Sequence, residues 1–436
     1  MATTRRADRT GTVARVLEPL VATMLGGQSR VAMVAWDGSR LGPSDASTSI
    51  VVNSPRALQR LVWAPGELGL VRGYVAGELD VDGDMFAVLG LRDQLAPPER
   101  HLELSLGRLE ALRAARRVGA LRLPPPPPPQ EQRGRHGRRH SRGRDAVAVT
   151  QHYDVSNAFY RAVLGPSMTY SCALWTAPGT TLEAAQAAKH ELVCRKLGLV
   201  PGMRMLDVGC GWGGLLIHAG THHGISGVGV TLSPAQLELA RARVAEAGLG
   251  DRVEIRLQDY RDVRDGPYDA ISSIGMFEHV GRARVQAYFE RCFALSRDGG
   301  RFLNHAIARV PSHGERTVVG PFSDRYVFPD AELLEVGSVV SAMHRSGFEV
   351  RHVEQLREHY ALTLRAWVAN LEDSWGLAVR EVGEARSRVW RLYMAGAALA
   401  FEGGRLQVDQ VLAQRPGPDG PFPARPTWEA EPLVDA

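Results

Sequence analysis

Met205-Leu206-Asp207-Val208-Gly209-Cys210-Gly211-Trp212-Gly213-Gly214 decides the architecture of this chain of 436 residues. A short apolar run ends in an acid and a glycine-dense turn, and a helical pattern opens at Leu215. Glycine is required where a backbone turns sharply and approaches a ligand closely, because a Cβ would block both. The helix that follows offers unpaired N–H groups to a polar or anionic group. A strand, a glycine turn and a helix in that order predict a nucleotide-like cofactor at the carboxyl end of a strand.

The glycines match G-x-G-x-x-G, so a dinucleotide site is the first alternative. Such a site holds its ribose with an acid about 20 residues further on. No Asp or Glu lies between Val208 and Leu237, and the next strand, Gly227 to Val230, runs into Thr231-Leu232-Ser233. The missing acid argues against NAD, and Asp207 before the turn suits S-adenosylmethionine (SAM) instead. The turn resembles the first motif of class I methyltransferases.

Working outward, strands and helices alternate from Val147 onward, which predicts a doubly wound parallel sheet. Strands are readable at Arg204–Val208, Gly227–Val230, Val253–Leu257, Tyr268–Ile274 and Arg301–Ala306. Ser233-Pro234 reads as an N-cap followed by a first-turn proline. The final long segment, Tyr360 to Phe401, reads as strongly helical, and the tail at 416–436 as loose. Residues 1–123 form a smaller α+β domain with strands at Val31–Val34 and Ser49–Val52, a helix starting at Ser54-Pro55, and helix over Leu102–Leu123.

Between the two domains, residues 124–146 read as a linker. Pro124–Pro129 predicts an extended polyproline spacer. Gln130–Arg144 carries six arginines, two histidines and one acid with almost nothing apolar, so it is expected to be disordered and solvated. Its arginines could also hold anionic lipid headgroups. No aromatics interleave them, so nucleic acid is not an expected partner.

Composition sets outer bounds. A hydrophobic content of 44% with 23% charged residues suits a globular protein with two or three cores. The net charge of +4 hides an asymmetry, since Lys189 and Lys196 are the only lysines among 52 basic residues. Cys172, Cys194, Cys210 and Cys292 show no C-x-x-C spacing and read as reduced thiols, with no metal site expected. Glu18 and Pro19 interrupt the apolar stretch nearest the N-terminus, and no run is long enough to span a bilayer. The expected location is cytoplasmic, with peripheral contact on the inner face of the membrane.

Further segments resemble the cyclopropane-fatty-acyl-phospholipid synthase family. They are His152-Tyr153-Asp154-Val155-Ser156-Asn157, Tyr170-Ser171-Cys172-Ala173, Gln258-Asp259-Tyr260-Arg261-Asp262, Gly275-Met276-Phe277-Glu278-His279-Val280-Gly281 and Phe302-Leu303-Asn304-His305-Ala306-Ile307, with Tyr360 ahead of Leu364-Arg365-Ala366-Trp367. Together with the glycine turn they cover about 147–400. Gly66-Glu67-Leu68-Gly69-Leu70 and Tyr74-Val75-Ala76-Gly77-Glu78 resemble the lipid-binding N-terminal domain of the phospholipid-acting members. The proline run and arginine segment depart from the pattern. Gly165-Pro166-Ser167-Met168-Thr169 resembles the actinobacterial branch that makes tuberculostearic-type 10-methylene or 10-methyl chains.

The resemblance implies a class I SAM-methyltransferase fold, Rossmann-like, over 147–415, and methyl transfer from SAM to the cis double bond of a phospholipid acyl chain. The acyl carbocation then loses a proton to give a cyclopropane or a methylene branch. It implies bicarbonate as the base, held by Cys172, Glu278, His305, Ile307 and Tyr360. For SAM, Tyr170 and Ser171 close over the methionyl end and Gly209 and Gly211 lie against the methionine and ribose. Gln236 with Thr231 substitutes for the ribose acid, and Asp259 and Tyr260 hold the adenine. Taken singly, Cys172 and His305 would read as core residues. Glu278, at a strand end, favours a site even alone. A methylene product would require a separate NADPH-dependent flavin reductase as partner. A homodimer is compatible with the sequence, which does not fix the oligomeric state. The alternatives are a methyltransferase for a small metabolite and a non-catalytic lipid-binding module with a relict SAM fold.

Overall fold

The computed structural model describes residues 12–25, 30–95, 108–119, 121, 123–132, 139–145, 156–310 and 320–417. They form two compact units. One comprises Met1–Gly134, Gly320–Val327 and Gly383–Leu399; the other comprises Arg135–Val319, Phe328–Val382 and Ala400–Ala436. The motif residues His152–Val155 and the tail beyond 417 lie outside the described residues.

The first unit carries β1 (Val31–Ala35), β2 (Arg40–Leu41), β3 (Thr48–Val52) and β4 (Leu79–Asp82) in the order β2-β1-β3-β4. β1 and β3, the two strands read from sequence, pair in parallel, and the outer strands run antiparallel to them. Ala14, Leu17, Met33, Val52, Leu58 and Leu61 pack into its core. A helix over Arg56–Trp63 follows Ser54-Pro55 as expected, with the Arg56 N–H donating to Ser54 Oγ. Within the expected Leu102–Leu123 helix, the described part is helical over Arg108–Arg117.

The segment expected to be a solvated spacer is held by ion pairs at both ends. Arg60 donates to the Pro126 carbonyl at 3.0 Å, and its Nη2 pairs with the buried Glu78 at 3.0 Å. Glu131, fully enclosed, accepts from Arg72 at 2.7 Å through both oxygens, from Arg325 and from Tyr326. Those donors hold its carboxyl at about 2 although burial pushes the other way. In the second unit, Arg139 and Arg144 converge on Asp330, Arg142 reaches Asp262, and residues 142–145 form a helical turn. Composition suggested disorder because the segment lacks apolar residues; what holds it is charge pairing with acids far away in sequence.

The second unit is built on seven strands: β5 (Arg204–Val208), β6 (Ser226–Thr231), β7 (Val253–Leu257), β8 (Tyr268–Ile274), β9 (Ser296–Arg309), β10 (Glu349–Gln355) and β11 (Leu406–Gln414). Their order is β10-β11-β9-β8-β5-β6-β7. β5 to β9 are mutually parallel, while β11 runs antiparallel to both β9 and β10. The expected all-parallel sheet is therefore mixed at one edge. Leu206, Val208, Val228, Val230, Ile271 and Phe302 fill the space between sheet and helices. The stretch read as strongly helical, Tyr360 to Phe401, comprises three helices, over Arg357–Asp373, Trp375–Val382 and Glu384–Glu402, separated at Ser374 and at Gly383 with its φ of +80°; most of the last belongs to the first unit. The chain leaves β5 toward β6 on one side and later returns to place β8 on the other. That reversal opens a crevice at the carboxyl end of β5, the usual ligand position in such sheets.

Candidate active site

The crevice is a cavity, and every residue expected to contact the cofactor lines it: Tyr170, Ser171, Asp207, Gly209, Gly211, Thr231, Gln236, Asp259 and Tyr260. Gly209 has φ +82°, and a Cβ there would meet the Met276 side chain at 2.9 Å. Gly211 has φ +54°, with open space where its side chain would be. The turn thus leaves the cavity floor bare backbone, and the helix over Gly214–His222 starts directly behind it.

Asp207 is buried and accepts from Ser272 Oγ at 2.6 Å. Burial raises its carboxyl to about 6, against the pull of the Ser272 bond and the Lys189 ammonium. Ser233 caps the helix over Pro234–Glu246 by accepting the Gln236 N–H, which fixes Gln236 beside Thr231. Thr231 Oγ1 donates to Gln236 Oε1 at 2.7 Å. Asp259 is not free to serve adenine alone: Arg261 grips both of its oxygens, at 2.8 and 2.6 Å. Tyr260 is half-buried, its ring edge-on to Tyr288 at 5.3 Å.

The proposed catalytic group lies next to this cavity. β8 and β9 pair Ile274 with His305, and the Gly275 N–H donates to the His305 carbonyl. Glu278 sits in the single turn Phe277–His279 just after β8, and its Oε1 accepts the Ile307 N–H at 2.7 Å. On the other side, β9 pairs Ile307 with Val408 of β11, whose carbonyl accepts the Leu356 N–H at 2.8 Å. The Leu356 carbonyl in turn accepts the Tyr360 N–H at 3.1 Å and the Cys172 thiol at 3.6 Å. These links gather Cys172, Glu278, His305, Ile307 and Tyr360 around neighbouring strand ends. An aromatic series joins them to the cavity: Tyr170 lies 5.2 Å from Trp367, which lies 6.0 Å from Tyr360.

One of the expected roles is modified. The Ile307 N–H is already given to Glu278, so it does not stand open to an anion. The Cys172 thiol is fully buried, pushed far above its ordinary range by desolvation, and bonds to the Ala173 and Leu356 carbonyls.

Burial raises the Glu278 carboxyl to about 7, the Ile307 N–H pulling it partly back. Burial and then the Lys189 and Lys196 charges push His305 down to about 3, so its imidazole is neutral at pH 7. Lys196 donates to Gln410 Oε1 at 2.7 Å, and Gln410 Nε2 lies 3.1 Å from His305 Nδ1. An ammonium has no acceptor to offer, so the amide must turn its oxygen to Lys196 and its NH₂ to His305. Nδ1 then accepts, and the proton resides on Nε2. Among the described residues, neither His305 Nε2 nor Glu278 Oε2 has a hydrogen-bond partner, though both are buried.

Sequence reading missed several cavity residues, among them Asp145, Lys189, His190, Trp212 and Met276. Lys189 is 1% exposed, donates to Ser171 Oγ at 3.2 Å, and is lowered to about 8 by burial. A signal was present: the only two lysines of the chain lie seven residues apart on one helix, two turns on the same face.

The comparisons agree with this geometry. Residues 140–411 match the family described as Mycolic acid cyclopropane synthetase. The chain is 42% identical over 426 residues to a Mycobacterium tuberculosis protein named Probable fatty acid methyltransferase Rv3720, covering 96% of this chain and 98% of that one. It is 34% identical over 401 residues, 88% of each chain, to the Tuberculostearic acid methyltransferase UfaA1 of the same organism. A crystal structure of mycolic acid cyclopropane synthase CmaA1 complexed with SAH and CTAB superposes with a TM-score of 0.59 at 34% identity, covering 62% of this chain and 98% of that one. This chain belongs to the mycolic acid cyclopropane synthetase family and is a SAM-dependent methyltransferase acting on fatty acids.

Proposed function

We propose that this enzyme methylates the cis double bond of an unsaturated acyl chain carried on a phospholipid, and that its product is a 10-methylene branch. The observation that carries the proposal is the pair of buried atoms without partners, Glu278 Oε2 and His305 Nε2, beside the cofactor cavity. Unpaired buried polar atoms are costly, so their retention argues for a polar guest at that point.

SAM, when bound, supplies an electrophilic methyl group to the alkene. The chain's residues have three tasks. The glycine turn and the Tyr170 to Trp367 wall hold the alkene in line, which matters because an alkene is a weak nucleophile. The buried aromatics Trp367 and Tyr360 keep water from the acyl carbocation and turn π-faces toward positive charge. Glu278, in its ionised form, receives the departing proton, and His305, whose Nε2 already carries a proton, holds the base by donating to it.

Their protonation suits bicarbonate, which when bound there supplies a small base. His305 offers an Nε2–H donor, and a Glu278 carboxyl near 7 can be protonated and donate as well. Cys172 lies close beside this group, and Tyr360 completes it.

Two observations favour a phospholipid chain over a small metabolite. The solved CmaA1 chain is matched over 98% of its length by only 62% of this one, and the family match begins at residue 140, so the N-terminal part of the first unit is additional. That unit exposes large apolar side chains, Trp63 at 54% and Leu123 at 86%. Among the described residues no helix is long and apolar enough to cross a membrane. The lipid contact proposed is peripheral, on the inner membrane face. The branch preference rests on Gly165–Thr169 and on the name of the tuberculostearic relative. A methylene product would pass to a separate NADPH-dependent flavin reductase.

The test is incubation of purified protein with methyl-labelled SAM and cis-unsaturated phospholipid vesicles, with and without added bicarbonate. Label in the acyl chains, dependent on bicarbonate, supports the proposal. Label only in a water-soluble acceptor would replace it with the small-metabolite reading, and SAM binding without turnover on any lipid would favour a relict fold.

A further inference from the structure

Away from the catalytic group, two neighbouring helices turn a set of soft and borderline donors toward one point. The Leu182–Leu197 helix presents Glu191 and Cys194, three residues apart and so on one face. The Gly214–His222 helix and its capping residue present His218 and His223. Nε2 of His218 and Nε2 of His223 both point at one oxygen, Glu191 Oε2, at 3.2 and 2.9 Å. The donor atoms of Cys194, His218 and His223 lie within 4.8 Å of one another.

We propose that Glu191, Cys194, His218 and His223 form a transition-metal site selective for Zn²⁺ or a similar borderline cation. The spacing Glu-x₂-Cys followed by His-x₄-His is that of paired ligands on two elements, the second pair within the range of zinc proteins. Sequence reading overlooked it because no second cysteine is close by. Thiolate and imidazole select Zn²⁺ over Mg²⁺ or Ca²⁺, which prefer all-oxygen shells. Zinc–nitrogen and zinc–sulfur bonds of about 2.0 and 2.3 Å put tetrahedral donors roughly 3.5 Å apart. The Glu191 to histidine distances, 3.2 and 2.9 Å, lie close to that, and the donor atoms of Cys194, His218 and His223, all within 4.8 Å of one another, must draw in by up to about 1.3 Å.

Without metal, the Nε2–H of each imidazole donates to Glu191 Oε2. Binding shifts those protons to Nδ1 and releases the Cys194 thiol proton, so M²⁺ meets one thiolate and one carboxylate and the site is neutral. The other carboxylate oxygen keeps its bond from Arg195 at 2.7 Å. His190 and His222 flank His218, their rings 5.6 and 4.5 Å from it, and are the competing ligands. A bound ion would clip together the two helices that bring Lys189 and Gly214 to the cofactor cavity. It takes no part in methyl transfer, so the proposal stands apart from the reading of catalysis.

The experiment uses the full chain without a polyhistidine tag, stripped with chelator, exposed to Zn²⁺ and passed over a gel-filtration column. The expected result is about one Zn²⁺ retained per chain, with a higher melting temperature than the stripped protein. Co²⁺ in its place should give tetrahedral absorption with a sulfur charge-transfer band, absent in Cys194→Ser. His223→Gln, at a partly exposed helix end, should retain metal at least about tenfold more weakly; it decides the matter even if Cys194→Ser does not fold. Wild type holding no stoichiometric Zn²⁺ after filtration, or His223→Gln holding as much as wild type, overturns the proposal.

Discussion

Glu278 is where structure and chemistry pull against each other. Its carboxyl is buried and raised from 4.5 to about 7, so folding favours the protonated form. The stability it contributes is present in full below pH 4.5 and is lost as pH rises through 7. Glu278→Gln should therefore be more stable than wild type at pH 8, by on the order of 3 kcal/mol, with the gap closing toward pH 4. Urea melts at the two pH values measure this. The same variant should lose most turnover while binding SAM nearly as before, since a proton acceptor acts mainly in the transition state. Equal loss of turnover and SAM affinity would remove Glu278 from that role. Gln410 acts one step back, by setting the His305 tautomer. Gln410→Leu should lower kcat about tenfold with the SAM dissociation constant unchanged, and the ¹⁵N shifts of His305 should show a mixture of tautomers.

At the scale of elements, the turn at residues 142–145 is the informative piece. Asp145 lines the cofactor cavity and pairs with Arg261, and the turn is pinned by Arg144 to Asp330. Asp330→Ala should loosen it and weaken SAM binding by roughly tenfold in calorimetry, as expected when one partner of a part-buried pair is removed. Deleting Gln130–Arg144 should lower the melting temperature by several degrees, because Arg72, Arg325 and Tyr326 lose the Glu131 carboxylate they share. A solvated spacer would leave the melting temperature unchanged. Legibility followed the range of the interactions. β5 and its glycine turn were readable because Gly209 and Gly211 act through their own backbone. β11 was not, because Leu406-Gln407-Val408-Asp409-Gln410 alternates like a half-exposed strand although Asp409 and Gln410 are buried. Gln410 is at home there only because Lys196 and His305, distant in sequence, satisfy it. The motif residues Glu278, His305 and Tyr360 were found by resemblance; nothing in their spacing reveals that β8, β9 and the Leu356 turn bring them together.

For the whole molecule, the product is the open quantity. A methylene branch and a cyclopropane each add one carbon and two hydrogens, so intact mass does not separate them. Proton NMR of lipid from cells expressing this protein alone does: vinylic signals are expected, and upfield ring protons alone would reverse the branch preference while leaving the methyltransferase intact.

The two lysines carry one more consequence. Both are enclosed, at 1% and 0% exposure, in a chain whose other basic residues are all arginine. A lysine-specific endoprotease therefore has only two cutting points, both inside one buried helix. The folded enzyme should resist digestion, and each molecule that opens should fall into pieces of 189, 7 and 240 residues, set by positions 189, 196 and 436. Because Lys189 borders the cofactor cavity, the rate of that cleavage should slow when SAM is added, making a protease a clock for the opening of the pocket.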